Sequence, residues 1–221
     1  MTLHYTAHVP AGDGPFPTLL ALHGWGASAH DLIGLAPMLH DGNALVLCPQ
    51  GPVTVPIQPG YDGFGWFPLS GGKDPDPAQV AEARELVLEF LATAIARYPV
   101  DDRKLAILGF SQGGFMAFEL ALREPERFCG LLGLSTWLPE PLAATTDARP
   151  EFANLPALIL HGTEDPMIPV ARGRDSRDAL LGLGLPTTYR EYEMGHEIQP
   201  EALGELVRWL DEKAFSPVLP A

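Results

Sequence analysis

The feature that most restricts the fold of this chain is a repeated alternation of short apolar runs with longer segments of helical periodicity. This pattern is typical of a mostly parallel sheet covered by helices on both faces. The last run alternates apolar and polar residues, which indicates a strand nearer an edge of the sheet. The predicted strands span 18–22, 44–47, 105–108, 131–134, 158–160 and 187–193. The sequence therefore predicts an α/β fold.

Helical periodicity is clearest over 77–98, where apolar residues recur at spacings of three and four and Pro99 follows as a stop signal. The predicted helices span 31–39, 77–98, 113–123, 170–183 and 200–215. A length of 221 residues fits one domain over 1–221, with a loose tail at 216–221. The residues between strands 131–134 and 158–160 are too few for an inserted lid domain. We therefore expect an open site.

The charge balance disfavours several classes of partner. The chain has 28 acidic and 14 basic residues, a net charge of −14, whereas binding to nucleic acid or anionic membranes depends on Lys and Arg. We interpret the acidity as a solvated surface, with exclusion of anionic substrates as the sharper alternative. No apolar stretch approaches the ~20 residues of a membrane span. Residues 1–10 lack a signal peptide pattern, so we expect a cytoplasmic protein without membrane insertion.

Cysteine and histidine usage gives no indication of a metal or cofactor. Cys48 and Cys129 both lie in apolar runs, which favours buried free thiols, although a disulfide between them stays open as an alternative. The histidines are scattered without metal-ligand spacing. We expect a protein that works without a metal ion or a cofactor.

The candidate nucleophile is Ser111, at the centre of the segment G-F-S-Q-G over 109–113. The G-x-S-x-G pattern alone is weak, but here it follows the apolar strand 105–108 and precedes a helix. A sharp strand-to-helix turn strains its central residue and holds the hydroxyl clear of the sheet, at the positive end of the helix. The alternative is an ordinary turn with an N-capping serine.

A serine hydroxyl needs a general base, and in this arrangement the order along the chain is serine, acid, histidine. His196 follows the last predicted strand and is the preferred base, whereas His161 is predicted to hydrogen-bond within the turn that carries the acid. Asp165 and Glu164 are the candidate acids. We prefer Asp165, because Pro166 fixes the backbone after it. Its role would be to orient the imidazole and to stabilise the imidazolium.

Two backbone N–H groups are candidate donors to the oxyanion of the tetrahedral intermediate. One belongs to Gln112, next to the nucleophile. The other belongs to Trp25, in the segment L-H-G-W-G over 22–26, where glycines allow a close approach of the backbone. His23 is predicted to be a structural hydrogen-bonding residue at the end of its strand.

Several segments together resemble the phospholipase/carboxylesterase family, which includes acyl-protein thioesterases and small bacterial carboxylesterases. They read L-H-G-W-G at 22–26, G-F-S-Q-G-G at 109–114, S-T-W-L-P at 135–139, H-G-T-E-D-P at 161–166 and M-G-H-E at 194–197. The resemblance implies a single-domain α/β-hydrolase fold without a lid and hydrolysis of carboxylic esters, with thioesters and lysophospholipids as variants. It also implies the roles given above to Ser111, Asp165, His196, Trp25 and Gln112. It is compatible with a small-molecule ester as partner and with a homodimer.

The segment W-F-P at 66–68 looks like the Trp-Phe-Asp segment of that family near the acyl site, with Pro68 where aspartate is usual. It lies in a long Gly- and Pro-rich segment, 50–73, that we predict to be a functional loop. Trp66 and Phe67, with Tyr61 and Phe64, are candidates to line an apolar acyl pocket. The equal alternative is that these rings only pack the loop down. A small aromatic loop and an open site favour short to medium acyl groups.

Two other functions compete with the esterase interpretation. A peptidase or another acyl transferase on the same fold would use the same residues on a different substrate. A binding protein that keeps the fold without the chemistry would normally lack one of Ser111, Asp165 and His196, and this chain has all three.

Overall fold

A seven-stranded sheet forms the centre of the structure, a computed structural model that describes residues 3–69 and 75–216. The strands are β1 (Tyr5–His8), β2 (Phe16–Leu22), β3 (Leu45–Pro49), β4 (Val53–Gln58), β5 (Tyr61–Gly65), β6 (Val100–Phe110), β7 (Gly130–Leu134), β8 (Ala157–Gly162) and β9 (Thr187–Tyr192). The order in the sheet is β1-β3-β2-β6-β7-β8-β9, in which only the β1–β3 pair is antiparallel. The predicted mostly parallel α/β fold is confirmed.

Each of the six predicted strands overlaps an observed one. β3, β7 and β8 are buried throughout, whereas β9 is partly exposed at one edge, as its alternating sequence predicts. The prediction missed β1, the other edge strand, because its residues are half-buried and form no apolar run.

Helices cover both faces of the sheet, so that two apolar cores form. Their bounds are α1 (Pro77–Arg97), α2 (Gln112–Arg123), α3 (Glu140–Thr145), α4 (Val170–Leu183) and α5 (Pro200–Trp209). Leu20 and Ile107 point into the core that contains α1 and α2. Leu19 and Leu108 point into the opposite core, with α5. Alternate residues of the same strands are thus buried on opposite faces of the sheet, which is why these strands contain so few polar side chains.

Two predicted helices differ from the observed ones. The predicted helix 31–39 is a 3-10 helix, Ile33–Gly42, with Pro37 inside it and non-helical backbone from Leu39 to Asp41. The predicted helix 200–215 is regular only to the end of α5 and continues as a wider π-type turn, Leu210–Ala214. Of the predicted loose tail 216–221, only Ser216 lies within the described residues.

The predicted loop 50–73 is in part a hairpin, which corrects the sequence prediction. Strands β4 and β5 pair antiparallel as a separate two-stranded sheet. The hairpin lies against the 24–27 segment, because Gly26 donates to Phe64 O at 2.8 Å and Phe64 donates to Ala27 O at 2.7 Å. A Cβ atom at Gly63 would lie 2.0 Å from Gly26 O, so only glycine permits this contact. Residues 70–73 of the predicted loop lie outside the described residues.

The connection between β7 and β8 is short. It contains α3 and a 3-10 turn, Pro150–Asn154, and all its residues are described, so no lid domain is inserted there. Within the described ranges, no helix combines the length and the apolar character that a bilayer span requires.

Candidate active site

Ser111 occupies the sharp turn between β6 and α2, in a strained backbone conformation with φ 53° and ψ −119°. Left-handed φ values are uncommon outside glycine and mark residues that the surrounding structure holds in place. Hydrogen bonds provide that hold, because Ser111 N donates to Leu134 O at 2.9 Å and the Thr136 hydroxyl donates to Ser111 O at 2.7 Å. The strained turn predicted from the sequence is present, and Ser111 is half-buried.

The glycines of the 109–113 segment allow the chain to cross itself closely at this turn. A Cβ atom at Gly109 would lie 2.1 Å from Gly113 O. A Cβ atom at Gly113 would lie 2.0 Å from Leu22 O, at the end of β2. A side chain at Gly109 would push β6 and the start of α2 apart, and one at Gly113 would push α2 away from the end of β2. This explains why the pattern around Ser111 requires small residues.

Asp165 and His196 come from the loops after β8 and β9 and form a direct hydrogen bond, His196 Nδ1 to Asp165 Oδ2, at 2.7 Å. The other carboxylate oxygen, Oδ1, accepts from the backbone N–H groups of Met167 at 2.8 Å and Ile168 at 2.9 Å. The carboxylate is therefore fixed through both oxygens. Since an ionised carboxylate only accepts hydrogen bonds, Nδ1 carries the imidazole proton and Nε2 is left as a base.

The ionisation of Asp165 reflects two opposing effects. Burial acts to raise the pKa of this carboxyl, whereas the hydrogen bonds from Ile168 N, His196 and Met167 N act to lower it. The hydrogen bonds prevail and the pKa of Asp165 lies below its ordinary value. Asp165 is therefore an anion at neutral pH.

Ser111 and His196 line one cavity of about 270 Å³ at the edge of the sheet where the parallel strands end. The His196 ring packs on the ring of Phe110, the residue before Ser111, with the centroids 4.9 Å apart. The structure thus brings together the three side chains expected to act as nucleophile, base and acid. Trp25 and Ile198 also line this cavity.

The backbone N–H groups of Trp25 and Gln112 are free to bind an oxyanion. Within residues 3–69 and 75–216, neither of them donates a hydrogen bond to a protein acceptor. Gly24 brings the Trp25 loop onto the nucleophile, because a Cβ atom at Gly24 would lie 3.3 Å from Ser111 Cβ. Gln112 is the first residue of α2, where N–H groups lack intrahelical acceptors.

The Gln112 side chain has a structural role that sequence reasoning missed. Its Oε1 accepts from Trp66 N at 2.8 Å, and its Nε2 donates to Phe67 O at 2.7 Å. The amide therefore ties the start of α2 to the chain that leaves the β4–β5 hairpin. No local pattern signals this contact, since the partners are backbone groups more than forty positions away.

The burial of Trp66 and Phe67 favours the packing alternative over the one in which they line an acyl pocket. Each side chain is only 1% exposed, and neither lines the cavity beside Ser111. The Trp66 indole donates to His23 O at 2.8 Å, and the Phe67 ring packs on Phe115 with the centroids 4.9 Å apart. Both rings belong to the core that anchors the hairpin, as the packing alternative holds.

His23 is a structural hydrogen-bonding histidine, as predicted, and its ring is neutral. Its Nε2 accepts from Gly51 N at 2.9 Å, so Nδ1 carries the proton and donates to Gly24 O at 2.8 Å. Burial lowers the pKa of His23, against the opposite effects of the Gly24 hydrogen bond and of Asp31. A protonated ring would lose the Gly51 contact, which links the Trp25 loop to the chain before the hairpin.

His161 supports the turn that carries Asp165, also as predicted. It is fully buried, and its Nε2 donates to Ile168 O at 2.9 Å. Ile168 N in turn donates to Asp165 Oδ1. The His161 ring lies against Gly173 of α4, where a Cβ atom would be 2.6 Å from Nδ1.

The remaining polar groups show no metal-binding arrangement. Among the described residues, no three His, Cys, Asp or Glu side chains come together as ligands. Cys48 is buried, Cys129 is half-buried, and both are free thiols. Burial raises the pKa of each thiol to about 12, so neither is an activated nucleophile.

Comparisons with known proteins identify the family of this chain. A family model described as phospholipase/carboxylesterase matches residues 5–213. Acyl-protein thioesterase 1 of Gibberella zeae is 30% identical over 199 residues, which cover 85% of this chain and 83% of that protein. The crystal structure of esterase PE8 superposes with a TM-score of 0.83 at 25% identity, covering 96% of this chain and 100% of the other. Acyl-protein thioesterase 2 of Zea mays superposes with a TM-score of 0.74 at 26% identity, covering the same shares.

Proposed function

Because the chain belongs to the phospholipase/carboxylesterase family and is a carboxylic ester hydrolase, we propose that it hydrolyses short- to medium-chain esters through an acyl-enzyme on Ser111. The observation that carries this proposal is the 2.7 Å hydrogen bond between His196 and Asp165, with His196 in the same cavity as the strained Ser111. An oriented base beside a strained serine is the arrangement that nucleophilic catalysis needs.

In the first step, Ser111 Oγ attacks the acyl carbon while His196 Nε2 takes the hydroxyl proton. The carbonyl π electrons move onto oxygen, and the Trp25 and Gln112 N–H groups stabilise the resulting oxyanion. The tetrahedral intermediate then collapses. The bond to the leaving oxygen or sulfur breaks, and the imidazolium gives its proton to that atom. Asp165 stabilises the imidazolium without taking its proton.

In the second step, water replaces the leaving group beside His196. The imidazole removes a proton from water as the water oxygen attacks the acyl carbon of the Ser111 ester. The same two N–H groups stabilise the second oxyanion, and collapse returns the proton from His196 to Ser111 Oγ. The products are the free acid and the unmodified enzyme, and the cycle needs no metal ion or cofactor.

The size of the site supports short to medium acyl groups. The cavity of about 270 Å³, which the acyl group has to share with the leaving group, lies just below the range of roughly 300–1,000 Å³ that is typical of sites for drug-sized ligands. The short β7–β8 connection offers no lid to enclose a long chain. Thioesters are the second candidate substrates, and the observation that favours them is the 30% identity to an acyl-protein thioesterase.

A chain-length series of p-nitrophenyl esters beside a matched series of acyl thioesters tests the substrate class. We expect kcat/KM to peak at short to medium chains and to fall for long ones, with all turnover lost in Ser111→Ala. A maximum at the longest chains would contradict the acyl-length proposal. A p-nitroanilide series with the same acyl groups separates an esterase from a peptidase, which would cleave the anilides at comparable rates.

A further inference from the structure

Asp31 is a carboxylate in the wall of the cavity that contains Ser111 and His196. Apart from His23 and His196, it is the only titratable side chain among the described residues that line this cavity. The rest of the lining is mostly apolar and includes Trp25, Phe110 and Ile198. A substrate in this cavity therefore meets one fixed negative charge on an apolar background.

Hydrogen bonds hold the Asp31 carboxylate in place and leave one of its oxygens available to a ligand. Its Oδ2 accepts from Ser28 N at 2.8 Å and from the Ser28 hydroxyl at 2.7 Å. Within the described part of the chain, Oδ1 accepts no hydrogen bond. Two bonds to one oxygen orient the group before any ligand arrives, so little side-chain entropy is lost on binding.

The segment of the chain that contains Asp31 has no lysine or arginine. Residues 1–72 contain four aspartates and no lysine, arginine or glutamate. This part of the chain builds the Trp25 loop, the Asp31 wall and the β4–β5 hairpin. No lysine or arginine of this segment can therefore neutralise Asp31.

We propose that the site prefers esters and thioesters whose leaving group carries a positive charge, and that Asp31 is the residue that selects them. His196 must reach the leaving atom to protonate it, and it lines the same cavity as Asp31, which places the cation on the leaving-group side. Trp25 lines this cavity too, and aromatic side chains attract ammonium groups. The inference rests on the proposed function of Ser111 and His196 and specifies its substrate class.

Two thioesters of matched shape test the proposal. Butyrylthiocholine carries a trimethylammonium group, and S-(3,3-dimethylbutyl) thiobutyrate has a neutral carbon in place of its nitrogen. The release of thiol gives kcat/KM for each. We expect the wild-type protein to prefer the cationic substrate about fivefold to tenfold, as a partly exposed ion pair beside an aromatic ring allows. The preference should shrink as salt is added, because the ion pair is screened.

Asp31→Asn removes the charge and retains an amide oxygen for the two Ser28 hydrogen bonds. We expect the cationic-to-neutral ratio of kcat/KM to fall to about one in this variant. The matched control is Asp13→Asn, which makes the same charge change in the exposed segment before β2, at the end opposite to the Trp25 loop. This control should keep the wild-type ratio.

Equal rates for the two thioesters in the wild-type protein, or no turnover of butyrylthiocholine, would overturn the inference. So would a preference that persists in Asp31→Asn, or one that Asp13→Asn also removes. Each of these results leaves the Ser111 mechanism standing if the neutral thioester is hydrolysed by the wild-type protein and not by Ser111→Ala. Thioester turnover that survives Ser111→Ala would instead defeat the proposed function itself.

Discussion

The imidazole of His196 donates from Nδ1 to Oδ2 of Asp165 at 2.7 Å, while both hydrogen bonds to Oδ1 of the same carboxylate come from backbone N–H groups. The acid is therefore oriented by the turn after β8, and the base is oriented by the acid. This relationship sets the imidazole tautomer and leaves Nε2 unprotonated in the cavity that it shares with Ser111.

Asp165→Asn should lower kcat by about 10⁴-fold, because an amide NH₂ facing Nδ1 would favour the imidazole tautomer with its proton on Nε2. The Asn oxygen can still accept from Met167 N and Ile168 N, so the fold should survive. Thermal unfolding and kcat for p-nitrophenyl butyrate check both parts. The matched control is Glu164→Gln, the exposed neighbouring acid, which should keep near-wild-type activity. A large loss of activity in Glu164→Gln with little loss in Asp165→Asn would show that Glu164, and not Asp165, is the acid.

The rate should fall at acid pH through the protonation of one group. Asp165 has a pKa below its ordinary value, so it remains ionised in the pH range in which histidine side chains ordinarily titrate. Log kcat/KM should therefore decline with unit slope on the acid side. The ionised Asp165 stabilises the fold above its ordinary pKa, and this contribution disappears only as the pH falls through the lowered value. The activity lost as the rate falls at acid pH should therefore return on neutralisation, because the fold is still intact there.

This prediction is checked by measuring kcat/KM for p-nitrophenyl butyrate between about pH 5 and pH 8. The release of p-nitrophenol should be followed at its isosbestic wavelength, where the absorbance does not depend on its ionisation. A flat profile would argue against His196 as the base. A limb of slope two would show that Asp165 titrates in the same range, in conflict with its hydrogen bonds.

Gly65→Ala should damage the oxyanion site without touching the three catalytic side chains. A Cβ atom at this position would lie 2.3 Å from Cε3 of the Trp25 ring, so the indole and the loop that carries it must shift. Loss of one oxyanion donor costs about 10²–10³-fold in kcat, and we expect a loss of that order with a smaller change in KM. Gly204→Ala is the control, since no atom lies within 4 Å of a Cβ atom there. An unchanged kcat in Gly65→Ala would show that the Trp25 N–H group does not bind the oxyanion.

Much of the site's arrangement followed from topology that the sequence reveals. The carboxyl ends of parallel strands meet at one edge of a sheet, so residues that follow β2, β6, β8 and β9 had to gather there. Apolar runs mark these strands because both faces are buried. That is why the positions of Trp25, Ser111, Asp165 and His196 could be predicted before any coordinates.

The hairpin and its anchors could not be predicted, because they depend on contacts between distant segments. Strand β5 contains two glycines, which weaken any strand signal, and each is required by the 24–26 segment or the Trp25 ring. Trp66 and Phe67 give the same local pattern whether they line a pocket or fill a core. Only the partners His23 and Phe115 decide between these alternatives. Asp31 likewise has no signal until the fold places it in the cavity wall.

The most direct test of the central claim is to identify the residue that a fluorophosphonate probe modifies. Such probes form a stable adduct with an activated serine, which intact mass and peptide mapping locate. Ser135→Ala is the matched control, because Ser135 also has a positive φ at a strand end but is fully buried. The account predicts one adduct, on Ser111, in the wild-type protein and in Ser135→Ala, and none in Ser111→Ala. An adduct on another residue, or equal labelling of Ser111→Ala, would contradict it.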